Sequence, residues 1–262
     1  MNFVLNFKLR LIHSLNFIGF DLLQARTNIK FAKRFYAELS DFKKLGGVVS
    51  EVWPIMSDYN ALGGTSKGHY FHQDLLVAKF IYEKSPKQHI DIGSRVDGFV
   101  AHVATFRKIV VIDINETPET NHENITFQKI DLMDDQTLPK TDSLSCLHAI
   151  EHFGLGRYGD RLDPSGHLVG IQNMIKMLEE NGTLYISFPI SQNPRVVFNA
   201  HRILHPHSIL EWTKDELELV RFDYVNDLGN LINCGRDVDL IEPLEYGCGI
   251  YTFRKVSTSV KF

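Results

Sequence analysis

The chain of 262 residues has only three cysteines, Cys146, Cys234 and Cys248. They are widely spaced and odd in number, which excludes a disulfide framework or a paired-thiol zinc motif and fits a reducing cytoplasm. Charge of one sign is also missing: 28 Lys and Arg stand against 32 Asp and Glu, a net charge of -4. Such a surface offers no global attraction to phosphate polymers, so bulk nucleic-acid binding is not expected. No repeat of fixed period, low-complexity tract or proline-rich linker divides the chain, which leaves one main domain with an N-terminal extension. A membrane span is lacking too. The opening MNFVLNFKLRLIHSLNFIGF is rich in Phe, Leu and Ile, but Lys8, Arg10 and His13 interrupt it and no small-residue cleavage site follows. It suits an amphipathic helix packed on the domain or on a second copy in a homodimer, with weak membrane-surface association as the alternative.

The 44% hydrophobic content is enough for a real core. Residues 1–45 read as two helices and 48–64 as irregular connecting chain, so the expected division is an N-terminal helical extension over 1–62 and a domain over 63–262. A helix is expected from Tyr70 to Glu83, where apolar positions follow helical spacing. From His89 onward, short apolar runs alternate with turns and amphipathic segments: HIDIG, IVVIDI, ITFQKI, LSCLHAI and GTLYISF, with a helix from Gly166 before the last. LELVRFDYVND and GIYTFRKV follow without a helix between them. The expected fold is α/β: a Rossmann-like, mostly parallel seven-stranded sheet with a C-terminal antiparallel edge hairpin.

In such a sheet, ligands bind beyond the carboxyl ends of the strands. His89-Ile90-Asp91-Ile92-Gly93-Ser94 reads as a buried strand ending in an acid and a glycine. Ile109 to Asp113 reads as a second strand whose terminal carboxylate lies twenty residues after Gly93, the spacing of an acid that takes both hydroxyls of a ribose. Asp131 follows the third strand, placed to accept from an adenine amino group while Leu132 packs on the ring. Each acid taken alone could equally cap a helix or turn; their shared position at successive strand ends favours a ligand. The turn Gly93-Ser94-Arg95-Val96-Asp97-Gly98 lacks the middle glycine that a pyrophosphate requires. S-adenosylmethionine carries no phosphate and tolerates the change.

Longer strings, DIGSRVDGFVAH, SLSCLHAIEHFGLGRYGDRLDP and FNAHRILHP, resemble a family first described as a nematode domain of unknown function, whose bacterial members commonly lie in surface-polysaccharide gene clusters. That family is similar to the class I S-adenosylmethionine-dependent methyltransferases, and the resemblance runs from roughly Gly68 to Lys255. It implies Asp91, Gly93 and Ser94 at the first motif, Asp113 with Ile114 at the ribose, Asp131 and Leu132 at adenine, and His148 with Ala149 on the sulfonium side. It also implies that the helix before the first strand closes over the methionine end through Tyr70, His72 and Gln73. The implied acceptor is a small molecule or glycan precursor, most simply a sugar or phosphate-type oxygen.

The segment after the fourth strand, HAIEHFGLGRYGDRLDPSGH, is dense in ionisable groups. Methyl transfer to a hydroxyl requires alignment and removal of one proton, and a histidine suits that task. His152 is the candidate base, Glu151 its orienting partner and His201 a second catalytic candidate; the alternative for His152 is a loop hydrogen bond. Arg157, Tyr158, Asp160, His167 and Arg202 are candidate substrate contacts, with internal ion pairs as the alternative for the arginines. No metal site is assigned: His201, His205 and His207, or Asp160, Asp163 and His167, offer ligand types, but Pro206 breaks the helix that would align the first group. Two other functions compete. An NAD(P)-dependent sugar oxidoreductase or epimerase would use Tyr-x-x-x-Lys, found only as Tyr251 and Lys255 in an expected strand; a catalytically inactive scaffold of the same fold would bind without turnover.

Overall fold

The computed structural model describes residues 19, 21–116, 119–134 and 137–257. It falls into two compact units, Met1–Thr65 and Ser66–Phe262. In the first, helix α1 (Leu22–Lys44) ends on Lys43 and Lys44, cations that favour the negative end of the helix dipole. A short 3-10 turn at Ser57–Asn60 carries Tyr59, whose hydroxyl donates to Glu38 at 2.6 Å beneath the Arg34 guanidinium. The rest of 48–64 is irregular, as its turn residues suggest. The amphipathic helix expected in residues 1–18 lies outside the described residues. Among the described residues no helix is long and apolar enough to cross a membrane.

The second unit is built on an eight-stranded sheet in the order β3-β2-β1-β4-β5-β10-β8-β9. Strands β1 (Ile90–Ile92), β2 (Ile109–Asp113), β3 (Ile125–Lys129), β4 (Thr141–Leu147) and β5 (Leu178–Ile190) run parallel. β8 (Leu217–Val225) and β10 (Gly247–Lys255) form the antiparallel continuation, with β10 inserted between β5 and β8. The expected count of seven is exceeded because Leu231–Asn233, too short to show any alternation, pairs with β8 as edge strand β9. A separate two-stranded ribbon, β6 (Arg195–Val197) with β7 (His201–Ile203), follows β5.

Both faces of β1, β2, β4 and β5 are largely buried, which is why they read as mostly apolar runs, whereas the outer strand β3 is half exposed. On one face Ile90, Ile92, Ile112, Leu144 and Ile186 pack with Ile171, Met174 and Ile175 of α4 (Gly166–Met177). On the other, Ile109, Val111, Leu147 and Ile250 pack with Val77, Ala78 and Ile81 of α2 (His69–Lys84) and with Phe99, Val100 and Val103. After the Gly93 turn the chain does not enter a regular helix at once: Gly98 adopts φ -121°, ψ -105° before the short α3 (Ala101–Ala104). A Cβ at Gly98 would come within 2.7 Å of Asp74 Oδ2, so the chain bends around the α2 carboxylate.

β1 and β4 are also joined through side chains. His89 is fully buried, its ring nitrogens 2.8 and 3.0 Å from Ser143 Oγ and Ser145 Oγ. Burial drives its pKa down to about 3. The folded value lies below the unfolded one of roughly 6.5, so the folded state binds fewer protons and stability is lost as pH falls from about 6.5 toward 3. At pH 5 this costs about 2 kcal/mol from His89 alone. Urea unfolding of wild type and His89→Gln at pH 7 and pH 5 should show a smaller acid loss in the variant; equal losses would remove His89 from the account.

Candidate functional site

The strand order reverses between β1 and β4, because β2 and β3 lead away on one side and β5 and β10 on the other. Two adjoining cavities open near the carboxyl ends there. The first encloses about 680 Å³, solvent at its mouth included, and is lined by Gly93, Asp113, Ile114, Ile130, Asp131, Leu132, Met133, His148, Ala149, His152, Phe153, Tyr158 and Asp160, among others. The second is bounded by His69, Tyr70, Arg95, Glu151, Arg157, His201 and Tyr246. Gly93, His148, His152 and Tyr158 line both.

The wall of the first cavity follows from the strand ends. Gly93, at the tip of β1, has φ +64°, a left-handed conformation that glycine adopts without cost. Asp91 does not reach the cavity. It is fully buried, with Oδ1 accepting from Ser94 Oγ at 2.7 Å and Ser145 Oγ at 2.5 Å, and Oδ2 accepting from Ser94 N at 3.0 Å. Burial lifts its pKa to about 6 against those hydrogen bonds. Ser94 Oγ in turn accepts from Leu147 N at 3.2 Å. Asp91 and Ser94 therefore hold the Gly93 turn from behind and are not lining groups, a correction to their expected place. At the tip of β2, Asp113 Oδ1 accepts from Asn115 N at 2.8 Å. Asp131 Oδ1 similarly accepts from Met133 N at 2.8 Å, which turns Leu132 and Met133 along the cavity.

His72 and Gln73 line neither cavity. His72 Nε2 faces Gly229 O at 3.1 Å. Gln73 is buried under β5 and β10, its Oε1 accepting from Ser187 Oγ at 2.6 Å. The residues of α2 that reach the second cavity are His69 and Tyr70, one helical turn earlier. His69 lies in the same opening stretch of α2, His69 to Asp74, but helical periodicity without a known cavity cannot rank its positions.

After β4 the chain makes a tight loop that glycine makes possible. Gly154 has φ +77°, and a Cβ there would meet Asp163 O at 2.0 Å. Asp160 accepts from Gly154 N, Gly156 N and Tyr158 N at 2.8, 3.1 and 3.2 Å, so its carboxylate braces the loop while lining the first cavity. Arg202, expected to face substrate, is only 4% exposed. Its guanidinium donates to the carbonyls of Glu151, Phe153, Asp163 and Pro164, so it fastens the loop from inside and is not a substrate contact. His167 is also displaced from the cavities: it packs edge-on against Trp212, and burial lowers its pKa to about 4. Arg157 is exposed beside the second cavity, with Nη1 donating to Ala200 O at 2.8 Å.

The ionisable centre is compact. Glu151, 1% exposed, accepts from His148 Nδ1 at 2.7 Å, whereas His152 Nε2 lies 3.8 Å away. The orienting partner of His152 is therefore not Glu151, as the spacing suggested, but Ala200 O, 2.7 Å from Nδ1. That bond assigns the proton to Nδ1 and leaves the Nε2 lone pair free. Burial lowers the His152 pKa against the opposing pull of Glu151, so the ring is neutral. His201 lies edge-on to it, with centroids 6.5 Å apart. Burial works to raise Glu151, but the adjacent His148 and His152 pull it below the usual carboxylate value. Burial likewise works to lower His148, and Cys248 and Glu151 together hold it above the ordinary histidine value. His148 Nε2 faces His69 Nδ1 at 3.2 Å.

Comparison with known proteins bears on the fold that carries this site. In a structural comparison, the 1,6-didemethyltoxoflavin-N1-methyltransferase of Burkholderia thailandensis, solved with 1,6-didemethyltoxoflavin and S-adenosylhomocysteine, superposes with a TM-score of 0.52. It is 14% identical and covers 71% of this chain and 79% of its own. The domain has the class I methyltransferase fold. The [4+2]-cyclase SpnF superposes with a TM-score of 0.50 at 12% identity, over 74% of this chain and 86% of its own, so the fold is shared by unlike chemistries. Residues 99–210 match the family described as "Caenorhabditis protein of unknown function, DUF268". A search of curated proteins returned no sequence match.

The Tyr-x-x-x-Lys spacing of the rival oxidoreductase is spent on structure. Tyr251 is fully buried and donates to Pro206 O at 2.8 Å, while Lys255 Nζ donates to Ile175 O and Leu178 O. For the loop, Arg202→Met leaves four carbonyls without their charged donor. We expect a loss of about 3 kcal/mol in unfolding free energy and faster proteolysis between residues 151 and 164; an unchanged urea midpoint would show that other donors take over.

Proposed function

We propose that this protein is an S-adenosylmethionine-dependent methyltransferase acting on a hydroxyl of a small polar acceptor, with His152 as general base. The lining of the first cavity fits an adenosyl group. Asp113 stands at its β2 end with no partner among the described residues on Oδ2, ready for a ribose hydroxyl, and Ile114, Leu132, Met133 and Phe153 offer apolar contact to a flat base. Gly93 lies on the wall between the cavities, where the bare backbone admits a narrow chain. When bound, the cofactor supplies a methyl group already activated on a sulfonium.

The observation that carries the reading is the state of His152. It faces both cavities, its Nδ1 proton is committed to Ala200 O, and burial keeps the ring neutral. Its Nε2 can take the proton of an acceptor hydroxyl as the oxygen attacks. Arg157, Tyr158 and His201 on the second cavity would align the acceptor, which is worth as much as the proton transfer in a displacement of this kind. The polar lining there supports a sugar or a phosphorylated or nucleotide-activated precursor, the class implied by the resemblance to polysaccharide-cluster proteins, and with it a cytoplasmic role in surface-glycan assembly. A homodimer through the N-terminal unit is supported by exposed Ile29, Trp53 and Leu62.

Calorimetry with S-adenosylhomocysteine separates binding from chemistry. Asp113→Ala should weaken binding at least about tenfold through loss of a charged hydrogen bond. His152→Ala should bind normally and lose about 10² to 10⁴ in turnover, read as S-adenosylhomocysteine release with sugar and nucleotide-sugar acceptors. Unchanged affinity in Asp113→Ala would overturn the cofactor placement. Binding without turnover across the panel would instead favour the inactive scaffold.

A further inference from the structure

Three stretches remote in sequence converge beside the second cavity. His69 comes from the first turn of α2, His148 from the turn after β4 and Cys248 from β10. His69 Nδ1, His148 Nε2 and Cys248 Sγ all lie within 4.8 Å of one another. We propose that these three side chains form a site for one Zn²⁺ or similar borderline-soft divalent cation, its fourth position open to the second cavity. The proposal is independent of methyl transfer. It also differs from the ligand groups considered from sequence, none of which converges on this position, because the three ligands sit on separate elements with no motif spacing.

The donor set is the one zinc prefers, two imidazole nitrogens and a thiolate. Tetrahedral bonds of 2.0–2.3 Å place ligand atoms about 3.3–3.6 Å apart. The two nitrogens already stand at 3.2 Å, and the sulfur needs to close by only about an ångström from its upper bound. The surroundings point the same way. Glu151 accepts from His148 Nδ1 at 2.7 Å, which aims Nε2 toward His69, the ring orientation of carboxylate–histidine–metal arrangements. Glu151 Oε2 is buried without a hydrogen-bond partner, and a buried carboxylate that is half satisfied is costly unless a cation lies near.

The same 3.2 Å approach is a histidine–histidine hydrogen bond when one ring holds the shared proton. That arrangement makes no use of Cys248, a fully buried thiol whose Sγ lies 3.7 Å from Gln73 Oε1 and from Gly249 O and beside the His148 ring. Metal binding uses it, the thiol proton of Cys248 and the Nε2 proton of His148 passing to solvent as the Zn–S and Zn–N bonds form.

The test is titration of chelator-treated full-length protein with Co²⁺, whose tetrahedral thiolate complexes are coloured, followed by displacement with Zn²⁺. We expect one equivalent bound per chain, with ligand-field bands of tetrahedral intensity and a thiolate-to-cobalt charge-transfer band. Cys248→Ala should abolish that band, and Glu151→Gln should weaken binding about 10- to 100-fold. Cys146→Ala, at a buried cysteine of β4, should leave the spectrum unchanged. Should Cys248→Ala fold poorly, His69→Gln serves instead, with loss of tetrahedral intensity expected. Absence of a charge-transfer band in wild type, or its survival in Cys248→Ala, would overturn the site.

Discussion

The arrangement of this molecule depends on the place where β1 and β4 lie side by side while their onward neighbours run in opposite directions. A parallel sheet covered on both faces has no room for a ligand except beyond its strand ends. At a reversal of strand order, the connecting loops part and leave a crevice. Everything chemically suggestive here hangs on that crevice: the turn at Gly93, the carboxylates of Asp113 and Asp131, and the histidine-rich loop after β4. Asp91 serves it indirectly, since its three hydrogen bonds tie the end of β1 to Ser94 and to β4.

A second constraint is the burial of Glu151. An ionised carboxylate with 1% exposure persists only among partners that repay its lost hydration. The structure supplies His148 by hydrogen bond and His152 nearby. The loop that holds them is fastened by Arg202 on its inner side and Asp160 on its outer, two charges consumed by backbone groups. The cationic side chains left on the second cavity are Arg95 and Arg157. Ionisable density in a loop thus sorts into groups that build the loop and groups that face the cavity, and only the three-dimensional hydrogen-bond pattern separates them.

Much of the fold was legible in advance. Short β-branched runs with helices between them read as a parallel sheet because a strand buried on both faces must be apolar at every position. The acids at Asp113 and Asp131 could be placed because they end such runs. The edge strand Leu231–Asn233 and the break at Gly98 were not legible: three residues carry no periodicity, and Asp74, which shapes the Gly98 bend, is 24 positions away. Likewise HYFHQD announced a helix facing the site but not which of its side chains would reach it, since rotation about the helix axis is set by packing.

By itself the sequence determined the strand succession, the carboxylates at successive strand tips and the polar loop after the fourth strand, all carried by local pattern and spacing. Only the tertiary structure decided that Arg202 and His167 turn away from the cavities, that Ala200 and not Glu151 orients His152, and that Cys248 meets His69 and His148. The reason is physical: hydrogen bonds and close approaches join side chains across separations of 48 to 179 residues, and no local preference of the chain encodes which distant group arrives there.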